Sequence, residues 1–283
     1  MKVRRAAVAG YFYEADPEDL RRRIEWCFRH TLGPGRLPSI REGRVEKVLG
    51  LVSPHAGYMY SGPVAAHGYL LLAEDGVPDT VIIIGPNHTG LGSGIAIMTE
   101  GEWETPLGRV PIDTELAMEI VKKSGVVDID ELAHIREHSV EVQIPFLQYI
   151  YGSRFKIVPI TMLIQTLEVA RELGNAIADC IADRNVIVIA STDFTHYEPQ
   201  QVAERKDKLA IDAILKLSAE ELYRVVHAED ISMCGYGPTM TLLVAARRLG
   251  AKGATLLKYA TSGDITGDYG AVVGYASIAV WRK

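Results

Sequence analysis

Short, unbroken apolar runs alternate along this chain with longer segments in which apolar residues recur every three or four positions. That alternation predicts β-strands separated by helices. Val81-Ile82-Ile83-Ile84 sets the pattern: four β-branched residues in a row, then Gly85 and Pro86 to stop them. Such a run suits a central strand covered on both faces. Val48 to Val52, Phe155 to Ile160 and Asn185 to Ala190 repeat it, with Ile95–Thr99 as a further strand and Ala254–Ala260 and Ala271–Val280 closing the sheet. Glu102 to Ile112 alternates around Gly108 and predicts a hairpin-like excursion.

Helices fall between the strands. Asp16-Pro17-Glu18-Asp19 opens one that runs to about Arg29, with proline near its first position. Ser61 and Pro63 open another to about Glu74, and Asp113-Thr114 caps a third to about Ser124. Residues 129–151 read as a helix interrupted at Pro145, and helices follow over 167–182, 201–217 and 219–227. Cys234-Gly235-Tyr236-Gly237-Pro238 opens a last one to about Leu249. Ala6 to Tyr13 precedes all of this as an apolar arm. No linker or repeat interrupts the alternation, so the expectation over 1–283 is a single α/β domain. Its sheet should be mixed and mostly parallel, with helices on both faces.

Composition narrows the class. At 48% hydrophobic and 23% charged residues, the 283-residue chain can bury an ordinary core. A net charge of −6 gives no reason to expect a nucleic acid partner. No apolar run approaches the roughly 18 residues of a membrane span, and the stretch after the basic N-terminus is too short for a secretory signal. Three cysteines are too few and too odd for a disulfide framework. A cytoplasmic protein is expected.

In open α/β sheets, ligands bind beyond the carboxyl ends of the strands. Three such ends carry polar residues able to bind ligands: His55 after the strand at 48–52, His88 after 81–84, and Asp193 with His196 after 185–190. A lone loop histidine is usually structural; several at matching positions point to a shared site. Cys234 stands where a helix should begin, a place that favours thiolate over thiol, and thiolate and imidazole both bind transition metals. Cys27 and Cys180 read as small buried hydrophobes.

His134-Ile135-Arg136-Glu137-His138 competes with that reading, because it matches H-x-x-E-H, a zinc-peptidase spacing on one helical face. His138 and Glu141 also stand three apart, as in di-iron helices. Solvated helix residues give the same short pattern. Gly90-Leu91-Gly92-Ser93-Gly94 resembles a phosphate loop but leads into a strand. His30, His67, His227 and the three tryptophans read as structural.

Taken together, Ala7-Val8-Ala9-Gly10-Tyr11-Phe12-Tyr13, Ser53-Pro54-His55-Ala56-Gly57-Tyr58, Gly85-Pro86-Asn87-His88, Glu137-His138-Ser139-Val140-Glu141, Ser191-Thr192-Asp193-Phe194-Thr195-His196-Tyr197 and Cys234-Gly235 resemble the Memo family, over nearly the whole chain. That family is named for a mediator of receptor-kinase-driven cell motility. The resemblance implies a fold similar to the class III extradiol dioxygenases, which hold non-haem iron with two histidines and a glutamate. It implies His55 and His88 as metal ligands, Cys234 in place of the glutamate, and His196, with Asp193 beside it, as an acid/base group. It also implies association with radical SAM and AMMECR-type proteins.

The expectation is therefore a divalent metal, iron first and copper or zinc next, serving redox or oxygen-dependent chemistry on a small molecule or peptide in the cleft. If the protein is an enzyme, it is a metal-dependent oxidoreductase. Two alternatives stand beside this: a metal-free hydrolase with Cys234 as nucleophile, His196 as base and Asp193 orienting it, and a non-enzymatic module binding a peptide or protein in the same cleft.

Overall fold

The apolar runs at 48–53, 80–86, 156–162 and 186–191 become strands and pair into one sheet whose carboxyl edge carries the polar residues. The computed structural model describes residues 2–282. In chain order the strands are β1 (Val3–Arg4), β2 (Val48–Ser53), β3 (Thr80–Pro86), β4 (Ile95–Ile97), β5 (Glu102–Thr105), β6 (Gly108–Pro111), β7 (Asp128–Ile129), β8 (Lys156–Met162), β9 (Val186–Ser191), β10 (His196–Glu198), β11 (Gly253–Thr261) and β12 (Val272–Trp281). The helices are α1 (Pro17–Arg29), α2 (Tyr58–Asp75), α3 (Thr114–Lys123), α4 (Ile144–Tyr151), α5 (Leu167–Ile181), α6 (Gln200–Leu215), α7 (Ala219–Ala228), α8 (Tyr236–Arg248) and the short α9 (Gly263–Thr266).

The nine-stranded sheet runs β10-β12-β2-β9-β3-β8-β4-β7, with β11 paired to β12. Its centre, β2-β9-β3-β8, is parallel. Antiparallel pairings of β12 to β2 and of β4 to β8 make the flanks, so the sheet is mixed. Every residue of β2, β3 and β9 is buried. That is why these runs are apolar without alternation: helices cover both faces. Helices α1, α2 and α4 pack on one face, and α3 and α5 to α8 on the other. Two glycines let the helices approach closely. A Cβ at Gly50 would lie 2.7 Å from a Leu242 methyl of α8, and one at Gly68 of α2 would lie 2.9 Å from a Leu51 methyl. No helix among the described residues is long and apolar enough to cross a membrane.

The predicted hairpin is β5–β6, and β1 joins it in parallel as a separate three-stranded sheet. Sequence and structure differ most over 129–151. Only Ile144–Tyr151 is an α-helix. Before it come the edge strand β7 and two 3-10 turns, Leu132–His134 and Glu141–Gln143. The apolar residues there are spaced like a helix. The backbone nevertheless unwinds, because two buried carboxylates, Glu137 and Glu141, gather N–H donors from this loop and from distant segments.

Candidate metal centre

The carboxyl ends of β2, β3 and β9 converge as the topology requires, and the 134–141 loop folds over them. The His55 ring lies 5.2 Å from the His88 ring and 5.3 Å from the His138 ring, edge-on to both. His88 and His138 stack at 4.6 Å. One ligand nitrogen from each of the three lies within 4.8 Å of the others, so His55, His88 and His138 could hold a metal ion.

Hydrogen bonds fix which nitrogen each ring offers. The Ser191 hydroxyl donates to the Ser139 carbonyl at 2.7 Å, which uses its only proton. It must therefore accept from Gln143 Nε2 at 2.8 Å and from His55 Nδ1 at 2.9 Å. His55 thus keeps its proton on Nδ1 and turns the Nε2 lone pair into the site. His88 Nδ1 donates to Glu137 Oε1 at 2.9 Å, which likewise frees its Nε2. His138 Nδ1 faces the same carboxylate oxygen at 3.4 Å. A carboxylate or hydroxyl behind a ligating imidazole is the usual support in metal sites.

Electrostatics favour neutral rings at His55 and His138. Burial, chiefly, drives His55 well below the ordinary histidine value, helped by its histidine neighbours. Burial, partly offset by Glu137, brings His138 down to about 4. Burial alone would raise Glu137. The hydrogen bond from His88, the neighbouring imidazoles and the Ser139 amide outweigh it, and Glu137 falls to about 2.

Cys234 arrives from the turn before α8. Its sulfur lies 3.3 Å from His55 Nε2 and accepts the Asp193 N–H at 3.3 Å. It is not among the three donors that lie within 4.8 Å of one another. Gly235 makes the approach possible, since a Cβ there would meet the Ser191 carbonyl oxygen at 2.4 Å. The helix start does not produce a free thiolate. Burial, with Asp193 adding to it, raises the thiol well above its ordinary value despite the amide donor. Neutral imidazoles, a shielded sulfur and orienting carboxylates form a donor set suited to a transition metal cation, which would supply the missing positive charge.

Asp193 and His196 line the same cleft. Burial lifts Asp193 to about 6, against the opposing pull of the His55 amide, whose N–H donates to Oδ1 at 2.9 Å. The His196 Nδ1 donates to the Ser232 carbonyl at 2.7 Å, which leaves Nε2 as an acceptor. Ser232, not Asp193, therefore orients His196, and the hydrolase reading loses its orienting aspartate.

The H-x-x-E-H reading fails on geometry. His134 and His138 are not on one helical face. His134 is buried edge-on against Trp103 under Arg4, and neither of its ring nitrogens has a partner. Burial, with Arg4 adding to it, lowers it to about 3. Nor does Glu141 act as a ligand beside His138. It pairs with the buried Arg4 guanidinium and accepts from Tyr13 Oη, Ala7 N at 2.9 Å and Val8 N at 3.1 Å. Glu141 thereby straps down the N-terminal arm, whose Phe12 ring lies 4.5 Å from His138 as a wall of the cleft. His138 as a third imidazole, and Gln143 and Ser191 as the lock on His55, went unassigned in the sequence. The one signal, and for His138 alone, was the density of acids and imidazole in Glu137-His138-Ser139-Val140-Glu141.

Comparison with known proteins bears on the fold and the family. The fold has a TM-score of 0.52 against the crystal structure of an uncharacterized protein from Escherichia coli K12, at 14% identity over 71% of this chain and 86% of that one. A MEMO1 family protein of Methanopyrus kandleri is 56% identical over 282 residues, 99% of each chain. One from Methanothermobacter thermautotrophicus is 54% identical over 98% of this chain and 100% of its own. One from Sulfolobus acidocaldarius is 53% identical over 98% of both. The family described as Memo-like protein matches residues 4–279, and the chain belongs to the Memo family.

Proposed function

We propose that this Memo-family protein is a metal-dependent redox protein with one divalent transition metal at the strand ends, iron first, copper or zinc next. His55 and His88 are its ligands; His138 lies within reach of both, and Cys234, outside that group of three but 3.3 Å from His55 Nε2, is the further donor. The observation that carries the reading is the locked His55 tautomer: its Nε2 lone pair faces the other imidazoles and the Cys234 sulfur together. At usual bond lengths, nitrogen and sulfur on one tetrahedral metal stand about 3.6 Å apart. The 3.3 Å between His55 Nε2 and Cys234 Sγ is close to that.

When bound, such a metal supplies Lewis acidity and, if iron or copper, electron transfer, with coordination positions open to O2, another oxidant or a small aromatic substrate. The chain's own residues do the rest. His196 Nε2 accepts a proton at the cleft wall. Asp193, which burial lifts to about 6, is placed to pass one beside Cys234. Phe12, Tyr60 and Tyr275 give the cleft aromatic walls. With sulfur in place of a carboxylate, ring cleavage of a catechol does not follow from the fold. Association with radical SAM and AMMECR-type proteins is proposed on family resemblance alone.

The test is elemental analysis of protein purified anaerobically, with and without chelator treatment. His55→Ala and His88→Ala should lose the metal, and Cys234→Ser should retain less of it. Unchanged metal in Cys234→Ser would remove the thiolate from the centre, and unchanged metal in His55→Ala would end the proposal.

A further inference from the structure

The cleft above the imidazoles has a volume of about 660 Å³, and its lining is asymmetric in charge. Neither lysine nor arginine lines it. Its carboxylates are Asp193 at the inner end and Asp268 on the 266–271 loop. Asp268 is exposed and accepts only the Gly270 N–H, at 2.9 Å, and it makes no ion pair among the described residues. Four aromatic side chains line the cleft with these carboxylates: Phe12, Tyr60, Tyr197 and Tyr275.

Tyr197 is the least ordinary of these. It is the extra residue where the β10–β12 register shifts between His196 and Glu198, and its φ is +60°. A left-handed conformation in a residue with a bulky side chain costs on the order of 1 kcal/mol or more, and such strain collects at functional sites. Bulges beside active sites re-aim side chains. Here His196 turns inward, and the Tyr197 ring stands at the mouth, 76% exposed and 5.8 Å from the His196 ring. An exposed, strained aromatic at a rim is not explained by packing.

We infer that the cleft takes an aromatic ring carrying an ammonium group, with the ring between Tyr197 and the opposite aromatic wall and the ammonium directed to Asp268. Aromatic faces attract both rings and cations, and a lone carboxylate adds to the preference for positive charge. A phosphorylated or carboxylated ring would bring a second negative charge to Asp268 with no guanidinium or ammonium to receive it. The inference deepens the metal-centre reading, because that centre fixes which end of the ligand points inward; the charge preference at the mouth does not depend on it.

The experiment is calorimetric titration of the full chain, both chelator-treated and metal-loaded, with tyramine, 4-ethylphenol and 4-hydroxyphenylacetate. Tyramine should bind roughly two- to fivefold more tightly than 4-ethylphenol, the size of one exposed ion pair, and the acid should bind least. Asp268→Asn should erase the tyramine advantage, while Tyr197→Ala should weaken tyramine and 4-ethylphenol alike. A peptide beginning with tyrosine separates the two sources of this chemistry. Binding as tight as tyramine supports a peptide end, and weaker binding supports a free amine. The inference is overturned if the acid binds as well as tyramine, if the advantage survives in Asp268→Asn, or if none of the probes binds at millimolar concentration. Because the order is read on chelated protein as well, it stands or falls separately from the metal content.

Discussion

Replacing Glu137 by glutamine should damage both stability and metal affinity, by amounts the structure lets one work out. One carboxylate oxygen accepts from His88 Nδ1 at 2.9 Å and from the His138 and Ser139 amides at 2.8 Å each; the other accepts from the His88 amide. Glutamine keeps one acceptor. In its better rotamer its NH2 group still faces the His88 N–H, and a buried donor left this way costs about 1–3 kcal/mol. The charge is lost as well. Glu137 titrates at about 2 rather than 4.5, a displacement equivalent to about 3 kcal/mol. The folded value lies below the unfolded one, so this stabilisation is fully present above about pH 4.5 and disappears as the pH falls toward 2. The wild-type protein should lose it across that window, and Glu137→Gln, lacking it already, should show a flatter acid limb. Urea titration of chelator-treated protein at neutral pH and at about pH 3 reads this effect. Metal affinity, measured by competition with a chromophoric chelator, should fall about 10- to 100-fold as His88 loses its support. A variant with unchanged urea midpoints and affinity within about twofold would refute the reasoning.

Three further outcomes follow from the same geometry. Glu141→Gln leaves the Arg4 guanidinium buried without its charged partner and should cost about 3–5 kcal/mol by urea unfolding, and Glu141→Leu should cost more, because it also strands the Ala7 and Val8 amides and the Tyr13 hydroxyl; a smaller loss in Glu141→Leu would count against that strap. His134→Leu should keep full metal content and change stability by no more than about 1 kcal/mol, since its ring nitrogens bond to nothing; lost metal would revive the H-x-x-E-H reading. Gly235→Ala must push its new methyl against the Ser191 carbonyl, so it should destabilise by about 1–3 kcal/mol and speed thiol labelling of Cys234, while an unchanged labelling rate would count against the close approach.

What the sequence made legible was whatever depends on strands. His55, His88 and the Asp193–His196 pair could be placed on one rim because β2, β3 and β9 are unbroken apolar runs, and parallel pairing then puts their ends side by side. Cys234 followed from its position at a helix start, with Gly235 and Gly237 just after it. The 129–151 segment was misread because Leu132, Ala133, Val140 and Ile144 keep helical spacing, while the forces that decide its path are long-range. Arg4 lies 137 residues from its partner Glu141, and the His88 and Glu137 that bond each other lie 49 apart. No local period reports such pairs. For the same reason His138 was visible as part of a motif but not as a third imidazole beside His55.

The strand order β12-β2-β9 has a consequence for how the protein is made. β2, which presents His55, is flanked by β9 and by β12, both far downstream of it in the sequence. A chain still emerging from the ribosome offers its imidazoles one after another in an open, unlocked setting, where each is a weak and unselective ligand for whatever cation is abundant. The pocket is complete only once β12 has paired with β2, so any choice of metal would fall to the folded domain and not to the growing chain.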